Sequence, residues 1–417
     1  MYCYIVEGGK KLEGAVNISG SKNASLPIIA GSILSGKITR LYNIPNIHDT
    51  QMTLKILKLL GCKVKKNNGK IEINSKGMDK KEIPEDLMRE MRSTVIMAGA
   101  IIGRFKEATF SYPGGCEIGA RPIDLHLNAF KKLGINIQEN GGFIHCKCDK
   151  IVGTDINLDF PSVGATENII LATVLSEGLT TITNAAMEPE IEDLAIFLNK
   201  MGAKIEGAGT NIVKITGVKS LKEVGYKIMP DRIETGTFLC AAAITGGNIQ
   251  LNDVRAEHIT PIIHKLQECG CKIDIEERKI KIEAPKRLKA VDIKTMPYPG
   301  FPTDMQSVFG SILTVSKGTS VIVENIFESR YKYIPELQKM GAKIQIEGKM
   351  AVIKGVRRLN GSQVVSTDLR GGASLVLAAL NAKGETKISK IEFIERGYEK
   401  FEEKLQNLGA KIYKKNI

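Results

Sequence analysis

The sequence has no tryptophan, and aromatic residues make up only 5% of its 417 residues. Exposed rings on which nucleic-acid bases could stack are therefore sparse, which argues against single-strand binding. Long apolar runs are also lacking, since stretches such as residues 93–103 and 237–245 fall well short of the about 18 residues of a membrane-spanning helix. We therefore expect a protein that does not cross a membrane.

Cysteine is too scarce for a disulfide framework, because eight cysteines are spread over the whole chain. The pairs at positions 146/148 and 269/271 have one intervening residue, whereas zinc ribbons have two. We expect free thiols and no bound metal. His258 and His264 have a spacing unsuited to a shared metal and are predicted to be surface residues.

The charge is positive, with 59 lysines and arginines against 46 acidic residues and a formal net charge of +13. An anionic partner is therefore plausible, but the basic clusters at 63–66 and 286–289 are short and far apart, which favours scattered surface lysine over a nucleic-acid stripe. The first residues show neither a basic leader nor an apolar segment with a cleavage site. We expect a cytoplasmic protein.

One five-residue sequence motif recurs six times along the chain, as in Met-Gly-Ala-Lys-Ile at 201–205 and again at 340–344. Its glycines lie 68 to 73 residues apart, at Gly61, Gly134, Gly202, Gly270, Gly341 and Gly409. Each copy of this motif ends an amphipathic helix, and its glycine supplies a left-handed C-cap. A short alternating strand follows, such as residues 279–282. The sequence therefore predicts six repeated units.

A second helix, rich in alanine and apolar almost all round, precedes each amphipathic helix. These helices are predicted at 24–34, 94–102, 165–175, 235–244, 305–315 and 373–380. Helices without a polar face must be buried, so we place them inside, covered by sheets. Six units of two helices and three or four strands indicate an α/β protein, and they divide naturally into two domains of three units each.

Polar or charged residues occupy equivalent starts of these buried helices, at Lys22, Arg92, Ser162, Arg232, Asp304 and Arg370. Ser21, Ser162 and Asp231 are explained equally well as ordinary helix caps. A lysine or arginine at a helix start opposes the macrodipole unless an anion lies between them. Several such helix ends facing one cleft would form a site for a polyanionic ligand.

The segment from Tyr112 to Pro122 places three glycines around Cys116, with Arg121 five residues later. Such a loop is suited to be a lid that closes over substrate, and the arginine favours the thiolate of the cysteine. An ordinary loop thiol is the alternative interpretation.

Six separated motifs now stand in order along the chain: GSKNASLP at 20–27, PGGCEIGARP at 113–122, SVGAT at 162–166, PDRIETG at 230–236, FPTDMQ at 301–306 and DLR at 368–370. Together they resemble the UDP-N-acetylglucosamine 1-carboxyvinyltransferases of the enolpyruvyl transferase family. The resemblance implies the enolpyruvyl transferase fold of two inside-out α/β domains. It places residues 21–229, with the catalytic lid loop 111–121, in one domain, and residues 1–20 plus 230–417 in the other.

The reaction implied by this resemblance moves the enolpyruvyl group of phosphoenolpyruvate to the 3′-hydroxyl of UDP-N-acetylglucosamine and releases phosphate. It is the first committed step of peptidoglycan synthesis. No cofactor and no metal are expected, and neither nucleic acid nor a membrane is an expected partner. The antibiotic fosfomycin is expected to inhibit by covalent attachment to Cys116.

The resemblance also assigns site residues, motif by motif. Catalytic roles fall on Cys116, Asp304, Lys22 and Arg396, with Asp304 as the base near the 3′-hydroxyl. Phosphoenolpyruvate is assigned to Lys22, Asn23, Arg121, Arg370 and Arg396. UDP-N-acetylglucosamine is assigned to Arg92, Arg121, Pro122, Ile123, Asp124, Leu125, Ser162, Val163, Gly164, Asp304 and Ile326.

Two other functions stay open at this point. 5-Enolpyruvylshikimate-3-phosphate synthase shares the fold, phosphoenolpyruvate and the Gly-Ser-Lys opening, but it lacks the cysteine lid, so the segment 113–122 favours the sugar-nucleotide enzyme. A basic repeat scaffold that binds RNA is supported by the net charge of +13 alone.

Overall fold

The structure is a computed structural model that describes residues 2–67, 69–114 and 123–416, without the side chain of Arg92. The helices are α1 Lys22–Gly31, α2 His48–Leu59, α3 Glu85–Glu90, α4 Ile96–Phe105, α5 Asp124–Lys132, α6 Val163–Thr173, α7 Pro189–Lys200, α8 Arg232–Thr245, α9 Thr260–Glu268, α10 Gln306–Leu313, α11 Ile334–Lys339, α12 Leu369–Asn381, α13 Glu392–Glu395 and α14 Phe401–Asn407. Short 3₁₀ helices cover Arg92–Val95, Ala256–Ile259 and Thr303–Met305.

The strands are β1 Tyr2–Glu7, β2 Glu13–Asn17, β3 Ile38–Tyr42, β4 Lys63–Asn67, β5 Lys70–Asn74, β6 Glu107–Ser111, β7 Asn136–Asn140, β8 Phe143–Lys147, β9 Asp155–Asn157, β10 Leu179–Thr183, β11 Lys204–Glu206, β12 Ile212–Thr216, β13 Val224–Lys227, β14 Asn248–Asn252, β15 Lys272–Glu276, β16 Lys279–Glu283, β17 Ile293–Lys294, β18 Thr319–Val323, β19 Lys343–Glu347, β20 Met350–Lys354, β21 Gln363–Val365, β22 Glu385–Ser389 and β23 Lys411–Asn416. Within the described ranges, no helix is both long and apolar enough to span a membrane.

The described residues divide into two compact units. Unit A runs from Gly20 to Met229, and unit B combines the residues up to Ser19 with those from Pro230 onward. Each unit has an apolar core of its own. The first two strands belong to unit B, because β1 pairs with β22 and β23, and β2 pairs with β14.

Three sheets surround the helices of each unit. Unit A has the strand orders β13-β3-β5-β4, β6-β8-β7 and β11-β12-β10-β9, and unit B has β21-β22-β1-β23, β15-β16-β14-β2 and β17-β18-β20-β19. In each four-stranded sheet, one parallel pair is joined to antiparallel strands, as β10 pairs with β9 on one side and with β12 on the other. The same arrangement therefore recurs in both units.

The prediction that the alanine-rich helices lie inside is confirmed. Nearly every residue of α1, α4 and α6 in unit A, and of α8, α10 and α12 in unit B, is buried. Helices α4 and α6 approach each other closely because Gly99 and Gly103 lack side chains. A Cβ on either glycine would overlap backbone atoms of α6, at Asn168 and Leu171.

The six repeat glycines all adopt the left-handed backbone that the C-cap interpretation requires. Their φ angles lie between 80° and 101°, a region that residues with a Cβ adopt only at a cost. The strand predicted after the fourth glycine is β16, and its residues alternate between exposed and buried. Local sequence pattern alone therefore fixes these helix ends.

The prediction that His258 is a surface residue is wrong. It is 7% exposed, whereas His264 is exposed as predicted. His258 lies in the short 3₁₀ helix Ala256–Ile259, which packs against the buried helix α8. Burial lowers the pKa of His258 to about 4, despite the opposing effect of Glu257.

We expect His258→Gln to make the fold less sensitive to acid. Below about pH 6.5 the unfolded chain protonates this histidine, while the folded chain keeps it neutral down to a pKa of about 4. Its contribution to stability is therefore complete above about pH 6.5 and is lost as the pH falls towards 4. At about pH 5 the loss is on the order of 1–2 kcal/mol.

Urea denaturation of wild type, His258→Gln and the exposed control His264→Gln at about pH 7.5 and pH 5 measures this effect. The decrease in unfolding free energy from about pH 7.5 to pH 5 should be smaller in His258→Gln than in wild type. His264→Gln should show the same decrease as wild type. An unchanged drop in that variant would contradict the assignment.

Candidate active site

In unit A, the start of α1 carries a cation that is held by a buried carboxylate. Ser21 caps the helix by accepting a hydrogen bond from the Ala24 amide at 3.2 Å. Lys22 Nζ lies 3.1 Å from Asp49 Oδ2 of α2, and the Asp49 side chain is only 1% exposed. The protein itself therefore supplies an anion at this helix start, beside the half-buried Asn23.

The helix starts of α5 and α6 meet through a histidine. Asp124 is exposed and Leu125 half-buried in the first turn of α5, directly after the buried Ile123. The next residue, His126, packs so closely on Gly164 that a Cβ on the glycine would lie 3.1 Å from the imidazole. Two segments predicted to bind the nucleotide sugar are thus neighbours in unit A.

Asn168 of α6 joins a third segment to this pair. Its amide Nδ2 lies 2.7 Å from His126 Nδ1 and donates to the Val95 carbonyl at 3.0 Å. Its Oδ1 accepts a hydrogen bond from the Gly99 amide at 2.8 Å. The 3₁₀ helix that begins at Arg92 is therefore tied to α6, whose cap Ser162 accepts from the amide of the third helical residue, at position 165. Val163 and Gly164 follow this cap and are half-buried.

Several predicted site residues lie outside the described residues. These are Cys116, Arg121 and Pro122, most of the predicted lid loop 111–121, and the side chain of Arg92. Their assigned roles stay predictions.

In unit B, Asp304 lies between two buried arginines. Its Oδ1 is 2.7 Å from Arg330 Nη2, and its Oδ2 is 3.5 Å from Arg370 Nη2. Both arginines are 3% exposed. The start of α12 fixes Arg370, because Asp368 caps this helix by accepting from the Arg370 and Gly371 amides at 3.0 Å.

The charge of Arg370 is maintained by its surroundings. Burial acts to lower its pKa, but Tyr398, Asp304 and Asp231 raise it, and the net direction is upward. The guanidinium is therefore cationic throughout the range in which proteins are stable. A permanent charge at this place can hold an anionic substrate.

Tyr398 brings a further predicted residue into this part of unit B. Its ring centroid lies 5.1 Å from the Arg370 guanidinium carbon, and its hydroxyl lies 2.8 Å from Thr237 Oγ1 of α8. Arg396, which is half-buried, ends α13 two residues earlier. The segment that carries Arg396 is thereby packed against Arg370.

Ile326, predicted to contact the nucleotide sugar, follows β18 and is half-buried. Its amide donates to Glu324 Oε1 at 2.8 Å. Glu324 also reaches the short helix that contains Asp304, through Thr303.

Sequence reasoning missed Asp49, Arg330 and His126. Each contacts a predicted residue, but none lies in one of the six motifs. Asp49 and His126 carry a signal in retrospect, because each places a polar side chain on the buried face of an amphipathic helix. Arg330 follows a strand and carries no such pattern, so only tertiary structure reveals its ion pair.

We expect Lys22→Ala to destabilise unit A as well as to impair activity. The substitution removes the cation 3.1 Å from a carboxylate that is 1% exposed, and truncating one partner of a buried pair costs roughly 3 kcal/mol. Urea denaturation measures the loss, with the exposed Lys37→Ala as the control.

Adding Asp49→Asn to Lys22→Ala should recover part of that loss, because the buried charge is then gone. A wild-type unfolding free energy for Lys22→Ala would show that the pair contributes nothing to stability.

Residues 6–405 match the family described as EPSP synthase (3-phosphoshikimate 1-carboxyvinyltransferase). The chain belongs to this enolpyruvyl transferase family. A member named UDP-N-acetylglucosamine 1-carboxyvinyltransferase 2, from Caldanaerobacter subterraneus subsp. tengcongensis, is 50% identical over 408 residues, 98% of each chain. A relative of the same name from Carboxydothermus hydrogenoformans is 49% identical over 411 residues, again 98% of each chain.

Among solved structures, the enolpyruvyl transferase NikO from Streptomyces tendae superimposes with a TM-score of 0.90 over 99% of both chains. Its identity of 24% makes it informative about the fold alone. The resemblance inferred from the six motifs is confirmed, and so is the enolpyruvyl transferase fold that it implies.

Proposed function

We propose that this chain transfers the enolpyruvyl group of phosphoenolpyruvate to the 3′-hydroxyl of UDP-N-acetylglucosamine and releases phosphate. The observation that carries the proposal is the 50% identity, over 98% of both chains, to an enzyme named for that reaction. The carboxylate of Asp304 between two buried arginines supports it, because such a group can take a proton beside an anionic substrate.

The chemistry divides into addition and elimination. Carbon C3 of phosphoenolpyruvate gains a proton, the sugar hydroxyl attacks C2, and Asp304 takes the hydroxyl proton. The tetrahedral ketal then loses a proton from C3 and phosphate from C2, which restores the C=C double bond. The C–O bond to C2 breaks, and the P–O bonds of the leaving group stay intact. Cationic side chains stabilise the charge that develops on the departing phosphate.

The phosphoenolpyruvate clamp in this proposal consists of Lys22, Asn23, Arg121, Arg370 and Arg396. Arg370 suits this role because its guanidinium is buried and permanently charged, and a planar guanidinium can bind a carboxylate or phosphate through two parallel hydrogen bonds.

Nucleotide-sugar binding is assigned to Arg92, the segment 121–125, Ser162–Gly164, Asp304 and Ile326. The contacts of His126 and Asn168 support the grouping of the three segments in unit A. The helix start at Ser162 presents backbone amides of the kind that bind phosphate.

In the cell, this reaction is the first committed step of peptidoglycan synthesis, and the proposal places the enzyme in the cytoplasm. Cys116 would be the loop thiol that exchanges a proton or assists product release, and the one that fosfomycin alkylates.

Phosphate release tests the proposal directly. Purified protein is incubated with phosphoenolpyruvate plus UDP-N-acetylglucosamine, with phosphoenolpyruvate plus shikimate 3-phosphate, and with phosphoenolpyruvate alone. We expect stoichiometric phosphate with the nucleotide sugar only. Release with shikimate 3-phosphate alone would identify the shikimate-pathway activity, and salt-dependent RNA retention without turnover would favour the scaffold.

A further inference from the structure

Glu324 is a buried carboxylate surrounded by hydrogen-bond donors. It follows β18 and is 3% exposed. Four neutral groups donate to it: Thr295 Oγ1 at 2.9 Å, the Ile326 amide at 2.8 Å and the Phe327 amide at 3.2 Å bind Oε1, and Thr303 Oγ1 at 3.0 Å binds Oε2. A buried carboxylate is tolerated only when it is satisfied in this way.

The two oxygens of Glu324 hold different segments of unit B. Oε1 fixes the chain after β18, and Asn325 reinforces it because its amide donates to Thr295 Oγ1 at 2.9 Å. Oε2 holds Thr303, the first residue of the short helix whose second residue is Asp304. One side chain thus connects two positions predicted to contact the nucleotide sugar.

These contacts form a closed network of neighbouring groups, which we call the circuit. From Glu324 the chain continues to Phe327, whose carbonyl accepts from the Arg330 amide at 3.4 Å. Arg330 binds Asp304 at 2.7 Å, Asp304 adjoins Thr303, and Thr303 returns to Glu324. A shift in any member therefore changes where the Asp304 carboxylate lies relative to Ile326.

We propose that Glu324 is a positioning residue that sets the distance between the Asp304 carboxylate and the Ile326 segment, and so the register of the acceptor sugar hydroxyl against the base. The inference rests on the proposed function for the role of these two positions. In this proposal Glu324 acts through Thr303 and the backbone amide of Ile326. Its effect is large because a misplacement of about 1 Å at a reacting centre costs about 10²-fold in rate.

Thr303→Val is the sharpest variant, since it removes one hydroxyl and keeps the side-chain shape. We expect kcat/KM for UDP-N-acetylglucosamine to fall about tenfold, with the KM for phosphoenolpyruvate unchanged. Thr386→Val in β22 is the matched control, because Thr386 is buried in unit B outside the circuit, and it should retain wild-type kinetics.

Glu324 itself is tested with Glu324→Ala and Glu324→Gln. Glutamine can still accept from both amides through Oε1, and its NH₂ group can donate to Thr303, so it should lie within about threefold of wild type in kcat/KM. Glu324→Ala should lower kcat/KM by about 10²-fold. Equal damage by both substitutions would overturn the geometric role, as would wild-type kinetics for Thr303→Val.

Hydrogen exchange provides a readout that does not depend on turnover. In Thr303→Val the amides of Ile326 and Phe327 should exchange several-fold faster than in wild type, although their own acceptor is intact. Exchange at the wild-type rate would contradict the proposed coupling between Thr303 and these amides. If the wild-type protein releases no phosphate with the nucleotide sugar, the proposed function is refuted. The exchange result would still show whether Thr303 is coupled to the Ile326 and Phe327 amides through Glu324.

Discussion

Asp304→Asn is expected to lower turnover by about 10²-fold or more, the scale usual for the loss of a general base. Asparagine keeps the shape and an oxygen for Arg330, but it cannot take the proton of the attacking hydroxyl. In the native site two guanidinium groups, at 2.7 and 3.5 Å, favour the ionised carboxylate. The loss should therefore fall on kcat, while the affinity for the nucleotide sugar changes little.

The measurement pairs steady-state phosphate release with calorimetric titration of UDP-N-acetylglucosamine. Thermal unfolding must accompany both, because the substitution leaves two buried arginines without their carboxylate and lowers stability to some degree. Asp274→Asn, on an exposed strand of unit B, is the matched control. Turnover at the wild-type level in Asp304→Asn would remove this residue from the mechanism.

The fold could be predicted from the sequence because its repeats carry local signals. A glycine after an amphipathic helix specifies a left-handed cap, and all six such glycines adopt one. Ser21, Ser162 and Asp231 cap the helices at which they were expected. These features depend on a few neighbouring residues, so a single sequence is enough to find them.

The contacts of the site could not be predicted in the same way. Asp49, Arg330 and Glu324 each contact a residue that lies 21 to 27 positions away along the chain. No local sequence pattern records such a pairing. His258 shows the opposite error, because a polar residue is predicted to be exposed although the 3₁₀ helix that contains it packs against α8. The motifs identified the family, while the residues that hold the motif side chains in place appear only in three dimensions.

The second large effect concerns the predicted lid, although Cys116 lies outside the described residues. Alkylation or fosfomycin is expected to abolish activity by modifying Cys116 alone. Burial raises the pKa of other thiols, to about 11 for Cys62 and to about 12 for Cys146, Cys269 and Cys271. A thiolate is the nucleophile, so these side chains are both shielded and protonated near neutral pH.

Cys148 is the matched competitor, because it is the described cysteine that is only half-buried. Burial raises its pKa, with Lys106 acting in the opposite direction, and Cys148→Ser should leave inactivation by fosfomycin unchanged. Cys116→Asp should retain some turnover, since a carboxyl still exchanges a proton, and it should resist fosfomycin because a carboxylate is a poor nucleophile towards the epoxide. Mass spectrometry of the treated protein locates the adduct. An adduct on Cys148 with Cys116 unmodified would show that the glycine-rich segment does not supply the reactive thiol. That result would also contradict the assignment of this segment as the lid.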